Sequence, residues 1–537
     1  MSGDSPHWWH DAVGYVVYVQ SFVDSDGDGL GDLAGITSRL PYLEELGVTL
    51  LWVTPFYPSP MNDGGYDVAD FQGIDPRYGG FEAFDDLVAE AHQRGMRVIL
   101  DLVPNHTSIA HPWFQRALAE PTGRHRNYYL WADPHPDGSP PNNWISFFGG
   151  SAWTADQLSG QNYLHLFLPS QPDLNWRNSN VRDEFDAIVG GWLERGVDGF
   201  RIDVAQGLVK DQALRSNPVL HPWDPSVDRN EQWAAFDHRY DILQTETLEI
   251  FERWKRLCTD HDAVLIGETH VDEPQRLAGL LSGGGLDAGF WFGPTAIEWD
   301  SQQIQSSIRS PVETLTDPRA IAWLTSSQDV ARAASRFGGG DLGRRRALLL
   351  STLLFCLPGI PFLYQGEELG LLDGVVSPSD KLDPVTSLVD AGRDGCRTPM
   401  PWHPGPGFGF STSAETWLPH GGRTSADTVA EQAANDESWL NRYRRLVQLR
   451  HTHLGLRSPE PVEWIDLGDA SVVAFCRPGI LVVANTSGSS IPLPKTISKK
   501  VGAQGGDPVL FSTHPSKPTN AGDLTLEGEQ AVVLRSA

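Results

Sequence analysis

Short apolar runs rich in β-branched residues recur along the chain and alternate with stretches of helical spacing. Eight such runs are GYVVYV, TLLWVTPF, RVILDLVPNH, GFRIDV, AVLIGET, AGFWF, AIAWLTSSQD and GIPFLYQGEE. Continuous apolar strands alternating with helices are typical of a parallel sheet covered on both faces. Eight units predict an α/β protein with a closed (β/α)8 TIM barrel. An open doubly wound sheet is the alternative, but no GxGxxG turn follows the first run.

Two long excursions and a change of pattern indicate how the chain divides into domains. Residues 107–170, after the third run, are rich in Pro, Gly, Trp and His and too long for a plain loop, which predicts an inserted B domain. A second excursion, about 211–244, follows the fourth run. From 458 to 537 short alternating runs predict a C-terminal antiparallel β-sandwich domain. The barrel would then comprise residues 1–106 and 171–457.

Charge and composition narrow the class of partner. The formal charge of −28 argues against nucleic-acid and anionic-membrane partners, both of which need basic patches. The chain has nineteen tryptophans, several of them in polar, Gly-rich contexts that suit sugar faces, although tryptophan is also a common core residue. The run ALLLSTLLFCLPGIPFLY is long enough to suggest a membrane span. Its Pro-Gly break favours a buried helix leading into a strand.

Cysteine spacing and the N-terminal sequence bear on the compartment. The four cysteines are widely separated and form no CxxC pair, so neither a zinc site nor a disulfide framework is indicated. The sequence MSGDSPHWWHDAVGY has no basic start followed by an apolar run, unlike a secretory signal. We therefore expect a cytoplasmic protein, as a monomer or small homo-oligomer.

Carboxylates at the ends of three predicted strands define the candidate chemistry. They are Asp203 in GFRIDV, Glu268 in LIGETH and Asp329 in SSQDV. Barrel enzymes build their sites at this end, and cleavage of a glycosidic bond needs a paired carboxylate and carboxylic acid. Arg201 lies two residues before Asp203, on the same face of the strand, and would hold Asp203 as an anion. The alternative is a structural ion pair that closes the barrel mouth.

The ordered motifs DLVPNH, QPDLNW, GFRIDV, LIGET and the aspartate of SSQDV resemble those of the α-amylase family, glycoside hydrolase family 13. GIPFLYQGEELGL and DGCRTPMPW extend the resemblance over nearly the whole chain. QPDLNW and NDGGYD are similar to the exo-acting α-glucosidase and oligo-1,6-glucosidase branch. The resemblance implies that Asp203 is the nucleophile, Glu268 the general acid/base and Asp329 the residue that holds sugar hydroxyls in the transition state.

The resemblance also implies a pocket for the terminal sugar. Asp63 and Arg397 resemble the family pair that closes the non-reducing end, which would make the site a blind pocket for short α-glucosides. Tyr66 would stack under the ring, Phe167 would lie near it, and His106 would reach a ring hydroxyl. Taken singly, each has an alternative explanation: His106 as a hydrogen-bonded core histidine, and Tyr66 and Phe167 as packing residues.

The stretch DSDGDGLGD predicts a structural calcium loop. It supplies Asp24, Asp26, Asp28 and Asp32, and oxygen ligands at alternate positions suit Ca²⁺. It resembles the metal loop of the same glucosidase branch, which implies that the Leu30 carbonyl also contributes. A solvated acidic turn is the alternative. No organic cofactor is expected.

Two positions bear on the substrate. The family motif Asn-His-Asp is here Ser-Gln-Asp, so Gln328 replaces a histidine that donates to hydroxyls 2 and 3 of the cleaved sugar. Glutamine keeps a donor and an acceptor but cannot become charged. We therefore expect a changed substrate or a preference for transfer. Val204, after Asp203, resembles the branch that accepts α-1,6 bonds.

These features predict a retaining α-glucosidase or α-transglucosidase that acts by double displacement through a β-glucosyl-enzyme intermediate. A glucosyl-transferring isomerase, of the trehalose- or isomaltulose-forming type, is the nearest alternative. A non-catalytic carbohydrate-binding relative is a third, although such relatives typically lose the nucleophile or the acid, and all three carboxylates are present here.

Overall fold

Eight parallel strands close into a barrel in the computed structural model, which describes residues 7–385, 392–494, 497, 500–501, 508–514 and 525–536. The barrel strands are β1 Gly14–Val17, β2 Leu50–Val53, β3 Arg97–Leu102, β7 Gly199–Ile202, β8 Val264–Thr269, β9 Ala288–Trp291, β10 Ile321–Trp323 and β11 Ile360–Tyr364. Around the barrel they follow the closed order β1-β11-β10-β9-β8-β7-β3-β2. Each lies within one of the eight apolar runs, so the predicted barrel is confirmed and the open sheet is excluded.

Helices follow the barrel strands and cover the outside of the barrel. Their apolar stripes pack into the largest buried cluster of the molecule. The helices are α1 Leu33–Ser38, α2 Leu40–Leu46, α3 Gly80–Gln93, α4 Pro112–Ala119, α5 Ser179–Glu194, α6 Arg229–Ala234, α7 Thr247–Thr259, α8 Pro274–Leu281, α9 Gly293–Ala296, α10 Ser301–Thr314, α11 Ala333–Arg336, α12 Gly340–Cys356, α13 Val429–Ala433 and α14 Trp439–Thr452.

The barrel interior is a packed core. Strand side chains alternate between the interior and the helices, and both faces are apolar because both are covered. The rings of Trp52 and Phe290 lie 5.2 Å apart, and those of Phe290 and Phe362 lie 4.9 Å apart. These large side chains fill the barrel interior, and Trp52 Nε1 reaches up to donate to Asp101 Oδ2 at 3.1 Å, so the packed rings extend to the polar carboxyl ends of the strands.

The excursion after β3 forms a small separate unit. Its strands are β4 Trp131–Ala132, β5 Trp153–Ala155 and β6 Asn162–Leu164, which form a three-stranded antiparallel sheet in the order β4-β6-β5. Helix α4 lies in the same segment. The second excursion carries α6 and packs against this unit, since Trp144 Nε1 donates to the Arg215 carbonyl at 2.9 Å. Both excursions therefore stand over the open end of the barrel.

The described part of the C-terminal segment forms two antiparallel sheets. Its strands are β12 Glu463–Trp464, β13 Val472–Arg477, β14 Ile480–Asn485, β15 Ile491–Pro492, β16 Val509–Ser512, β17 Thr525–Leu526 and β18 Gln530–Arg535. One sheet has five strands in the order β12-β13-β14-β18-β16, and the other pairs β15 with β17. Trp299 Nε1 donates to the Thr486 carbonyl at 3.0 Å, which ties this segment to the barrel side of α10.

The long apolar run near residue 350 resolves into helix and strand. It forms α12, whose second half is fully buried, followed by the break at Pro358 and Gly359 and then β11. The described residues include no helix with the length and apolar character that crossing a bilayer requires. Residues 1–6, on which the prediction of no secretory signal partly rests, lie outside the described residues.

Candidate active site

One buried arginine gathers the carboxylates at the open end of the barrel. Arg201, in β7, places Nη1 2.6 Å from Asp101 Oδ1 and also against Asp203 Oδ1, while its Nη2 lies 2.6 Å from Glu268 Oε1. Asp203 follows β7 directly and Glu268 lies in β8, so adjacent parallel strands deliver both to one guanidinium. The sequence predicted the contact of Arg201 with Asp203. Asp101 was not anticipated.

The two candidate catalytic carboxyls have opposite pKa shifts. Burial and the charge of Glu268 raise the pKa of Asp203 well above its usual range. Burial also opposes ionisation of Glu268, but Arg201 and the hydrogen bonds from His270 and Val204 lower its pKa. Because Arg201 contacts both carboxyls, their protonation is coupled and belongs to the pair.

Val204 has a strained backbone that serves Glu268. Its φ of 47° and ψ of 44° lie in the left-handed region, which a β-branched residue rarely adopts. This conformation directs the Val204 N–H to Glu268 Oε2 at 2.9 Å. Such strain costs about 1–3 kcal/mol and persists only where the surroundings impose it. The turn after Asp203 therefore fixes the orientation of the Glu268 carboxyl.

Three predicted sugar-binding residues form one wall. Tyr66 Oη donates to Asp101 Oδ2 at 2.9 Å, and His106 Nε2 lies 3.1 Å from the Tyr66 carbonyl oxygen. Burial lowers the pKa of His106, which keeps the imidazole neutral. The ring of Phe167, from the inserted unit, lies 5.2 Å from that of His106. The barrel and the inserted unit thus meet at this wall.

An arginine that the sequence did not predict forms the adjoining wall. Arg393 Nη2 lies 2.6 Å from Asp63 Oδ1, and its Nη1 lies 3.0 Å from Asp329 Oδ1. Arg393 also binds the buried Asp383 at 2.8 Å. Burial opposes the charge on Asp63, but Arg393 and then Arg397 lower its pKa. Asp63 is therefore an anion at neutral pH, and its carboxylate is held by a buried guanidinium.

The expected pair of Asp63 with Arg397 is not a direct contact. Arg397 Nη2 instead lies 3.0 Å from Asp329 Oδ1, and its Nε donates to the Gln328 carbonyl at 2.8 Å. The two arginines are four residues apart at the two ends of one short helical turn, so both reach the site from the same loop. The only sequence signal for Arg393 was this spacing, RDGCR.

Two further polar contacts were also missed. His270 Nε2 lies 3.3 Å from Glu268 Oε1, and its ring stacks on Phe292 with centroids 4.0 Å apart. Lys210 is fully buried, 2.6 Å from Asp173 Oδ2, and donates to Asn105 Oδ1 at 2.7 Å. His270 follows LIGET by one residue and was available as a signal. Lys210 offered none, since its partners lie far away in the sequence.

The acidic loop near residue 26 brings three predicted ligands together. Carboxylate oxygens of Asp24, Asp26 and Asp28 lie within 4.8 Å of one another. Asp32 is engaged differently: its Oδ1 accepts from Gly35 N at the start of α1, and its Oδ2 accepts from Ser25 N at 2.7 Å. Leu30 lies in the same turn and donates its N–H to Asp28 Oδ1. The all-oxygen donor set of the three aspartates suits a hard cation.

Aromatic side chains line the approach to the site. A cavity of ≈470 Å³, bounded by Phe148, Phe167, the second excursion and Val385, adjoins the wall of His106. Behind it the rings of Phe167 and Phe147 lie 5.1 Å apart, and those of Phe147 and Trp233 lie 3.8 Å apart. Trp233 in turn stacks on His238 at 3.4 Å. These four stacked rings form an aromatic column that joins the inserted unit to the second excursion.

Known proteins share both the sequence and the architecture. Residues 16–458 match the family model for the alpha amylase catalytic domain. The chain is 40% identical over 484 residues to a probable alpha-glucosidase of Rhizobium meliloti strain 1021, covering 88% of this chain and 87% of that protein. A solved alpha-glucosyl transfer enzyme is similar with a TM-score of 0.91 at 35% identity, covering 99% of this chain and all of that one. Trehalulose synthase from Pseudomonas mesoacidophila gives 0.88 at 30% identity, with coverage of 99% and 100%.

Proposed function

The chain belongs to the alpha-amylase family of glycoside hydrolases, and on that premise we propose that it is a retaining α-glucosidase acting on the non-reducing end of short α-glucosides. The observation that carries the proposal is the Arg201 guanidinium in contact with both Asp203 and Glu268. One guanidinium spans only a short gap, and a retaining pair needs its carboxyls only about 5–5.5 Å apart.

The proposed reaction has two steps, formation and hydrolysis of a glucosyl-enzyme ester. Asp203 attacks the anomeric carbon and forms a β-glucosyl ester, while Glu268 gives its proton to the departing glycosidic oxygen. Glu268 then takes a proton from water, whose oxygen attacks the anomeric carbon and releases Asp203 as a carboxylate. Asp329, whose side chain is 28% exposed and thus the most open of the three, holds ring hydroxyls.

The reaction needs Asp203 as a carboxylate and Glu268 as the carboxylic acid. The leaving-group oxygen is a hydrogen-bond acceptor that meets Glu268 only in the complex, and it stabilises the protonated form of Glu268. Closure of the site by sugar also removes water around Glu268, which disfavours its charged form.

The closed end of the site supports exo-action. Asp63, Arg393 and Asp329 form an ion-pair chain on one wall. The tyrosine–histidine wall adjoins it, since Gln171 Nε2 contacts both Asp63 Oδ2 and His106 Nε2. A terminal glucosyl unit offers hydroxyls that both carboxylates and guanidinium groups bind well. A chain that continued through this wall would have to separate buried charges, which is costly.

The proposal is tested by trapping the intermediate. A 5-fluoro-α-glucosyl fluoride donor should add one fluoroglucosyl unit to the enzyme, and peptide mass spectrometry should place the adduct on Asp203. Asp203→Asn should abolish the adduct, and Glu268→Gln should slow its formation from a donor with a poor leaving group. An adduct on another residue, or none in an enzyme that cleaves α-glucosides, would overturn the assignment.

Glucosyl transfer is the second candidate, favoured by the similarity to the alpha-glucosyl transfer enzyme and to trehalulose synthase. A sugar hydroxyl would replace water in the second step, with the same residues. Product analysis on α-1,4, α-1,6 and α-1,1 glucosides and on sucrose separates the two. Free glucose in excess supports hydrolysis, and isomers or longer products in excess support transfer.

We also propose that Asp24, Asp26 and Asp28 hold a structural Ca²⁺ ion. Their oxygen atoms converge on one point, and two of the three side chains are exposed, so a cation would relieve their mutual repulsion. Asp24 is further oriented by N–H groups of Gly27 and Gly29. The ion would hold the loop between β1 and α1, away from the reacting atoms.

Cytoplasmic location is a further proposal. The four cysteines are free, and three of them are buried. Unpaired thiols are typical of proteins in a reducing compartment. Cell fractionation with a cytoplasmic marker tests the location, and recovery with the secreted fraction would contradict it.

A further inference from the structure

A buried ammonium group lies behind the tyrosine–histidine wall of the site. Lys210 follows β7, immediately before the second excursion, and its side chain is completely buried. Its Nζ lies 2.6 Å from Asp173 Oδ2 and donates to Asn105 Oδ1 at 2.7 Å. Asn105 Nδ2 in turn lies 3.1 Å from His106 Nδ1. Lys210 therefore reaches the imidazole of the wall through a single amide.

The neighbours of Asn105 fix the orientation of its amide. An ammonium group only donates, so the atom that faces Lys210 is the carbonyl oxygen of Asn105. The Nδ2 group then faces Asp173 Oδ1, at 3.2 Å, and His106 Nδ1. Both hydrogens of this group have an acceptor in that orientation. A flipped amide would set its nitrogen against the ammonium group and its oxygen against a carboxylate, so the contacts select one orientation.

This orientation selects one tautomer of His106. Because Asn105 Nδ2 donates, His106 Nδ1 presents a lone pair, and the single proton of the neutral ring lies on Nε2. Nε2 then donates to the Tyr66 carbonyl oxygen at 3.1 Å. Gln171 Nε2 also lies 3.1 Å from this nitrogen, but it donates to Asp63 Oδ2 at 3.0 Å. The imidazole is therefore a donor toward Tyr66 and an acceptor toward Asn105.

We propose that Lys210 is a positioning residue that, through Asn105, holds His106 as the neutral Nε2–H tautomer. A second proton on the ring would set an N–H group against the N–H of the amide. Burial lowers the pKa of His106, the two neighbouring carboxylates Asp173 and Asp63 raise it, and the ammonium charge lowers it. The effect on the reaction rests on the proposed function, whereas the tautomer itself does not.

The tautomer matters because it holds the main chain of Tyr66. The opposite tautomer would place a lone pair against the Tyr66 carbonyl oxygen and release it. The hydroxyl of the same tyrosine donates to Asp101 Oδ2 at 2.9 Å, and Asp101 is one of the carboxyls bound by Arg201. Lys210 therefore acts on the proposed site through the position of Tyr66.

Nitrogen NMR of enzyme labelled with ¹⁵N-histidine reads the tautomer directly, and His106→Gln identifies the signals of His106 by their loss. In wild type Nε2 should be protonated and Nδ1 bare from pH 5 to pH 8. Asn105→Asp offers the ring only acceptors, so His106 Nδ1 should become protonated. Lys210→Met should give mixed tautomers and a titration of His106 within this range, because the two carboxylates that face the ring are then unopposed.

The pH profile separates a positioning role from a merely structural one. In Lys210→Met the acid limb of kcat/KM should lie about one pH unit or more above that of wild type, with a smaller loss at pH 8. Lys210→Arg keeps a donor for Asn105 and should restore the wild-type profile. Lys255→Met, at a partly exposed pair with Asp287, is the control and should match wild type.

The spectra decide the inference without any substrate. A ring that keeps the Nε2–H tautomer and does not titrate in either Asn105→Asp or Lys210→Met would overturn it, and Asn105→Asp serves alone if Lys210→Met fails to fold. A protonated Nδ1 in wild type would also overturn it. Absence of cleavage of every α-glucoside by wild type would instead refute the proposed function and leave the tautomer assignment standing.

Discussion

Arg393 Nη2 lies 2.6 Å from Asp63 Oδ1, although 330 residues separate the two in the chain. The contact joins the loop after β2 to the loop after β11, so it closes the barrel mouth over β1, the strand that lies between these two. Because the same guanidinium reaches Asp329, Asp63 and Asp329 belong to one electrostatic unit at the proposed sugar-binding wall. A change in either loop should therefore alter the position or the charge environment of Asp329.

We expect Arg393→Lys to lower kcat/KM on a short α-glucoside by about 10- to 100-fold, because an ammonium cannot reproduce three guanidinium contacts. The loss should appear in both KM and kcat, since Asp63 and Asp329 are both released. Steady-state kinetics measure it. Arg309→Lys, at an exposed pair with Glu313, is the control and should match wild type. An Arg393→Lys enzyme with unchanged constants would show that Arg397 suffices.

His270→Asn should move the alkaline limb of the kcat/KM profile to higher pH. His270 lowers the pKa of Glu268, so its removal lets the carboxyl pair keep its proton to a higher pH. The side chain is 44% exposed, and solvent screening limits the shift to less than about one pH unit. His135→Asn, exposed in the inserted unit, should leave the profile in place. A shift toward lower pH would contradict the assigned hydrogen bond.

Glu367→Gln should remove a pH dependence of stability. Glu367 is buried, accepts from Thr325 Oγ1 at 2.7 Å, and burial raises its pKa to about 7. The unfolded chain releases this proton near pH ~4.3, so between about pH 4.5 and 7 the folded state binds more protons and stability falls as pH rises. The contribution amounts to at most about 4 kcal/mol.

Thermal denaturation at pH 5 and pH 8 tests this prediction. The Tm of wild type, measured relative to that of Glu367→Gln, should be lower at pH 8 than at pH 5. Glu437→Gln, at an exposed carboxylate, is the control and should track wild type. A constant difference across this range would show that Glu367 is ionised throughout.

Removal of Ca²⁺ with EGTA should lower Tm by a few degrees, because an ion that binds only the folded state stabilises it. Asp26→Asn with Asp28→Asn should show the same Tm with and without EGTA. Asp70→Asn, an exposed aspartate of a different loop, should respond to EGTA as wild type does. Identical Tm values for wild type under both conditions would remove calcium from the proposal.

The barrel was predictable because its strands are buried on both faces and read as continuous apolar runs. The three carboxylates were predictable because each follows or ends such a run, and parallel strands bring these ends together. Arg393 was not, because loop length hides which side chain reaches across the mouth. The left-handed turn at Val204 was not either, since the sequence shows a favourable strand residue there.

The position of Gln328 shows the same limit on a finer scale. The sequence shows that Gln328 replaces a histidine, but it does not show whether the NH2 group or the carbonyl of the amide faces the neighbouring side chains. Only the Tyr66 hydroxyl, which donates to Asp101 and accepts from Gln328 Nε2, decides between them. Orientation of an amide depends on neighbours that are distant in the chain, which no local pattern encodes.

The aromatic column has a consequence for how such proteins diverge. Phe147 and Phe167 come from the inserted unit, while Trp233 and His238 come from the second excursion, and the four rings stack in sequence. Neither segment presents a complete surface alone. A chimera that receives only one of these segments from a relative would combine rings that do not pack together. We therefore expect the inserted unit and the second excursion to be exchanged, and to evolve, as a single unit.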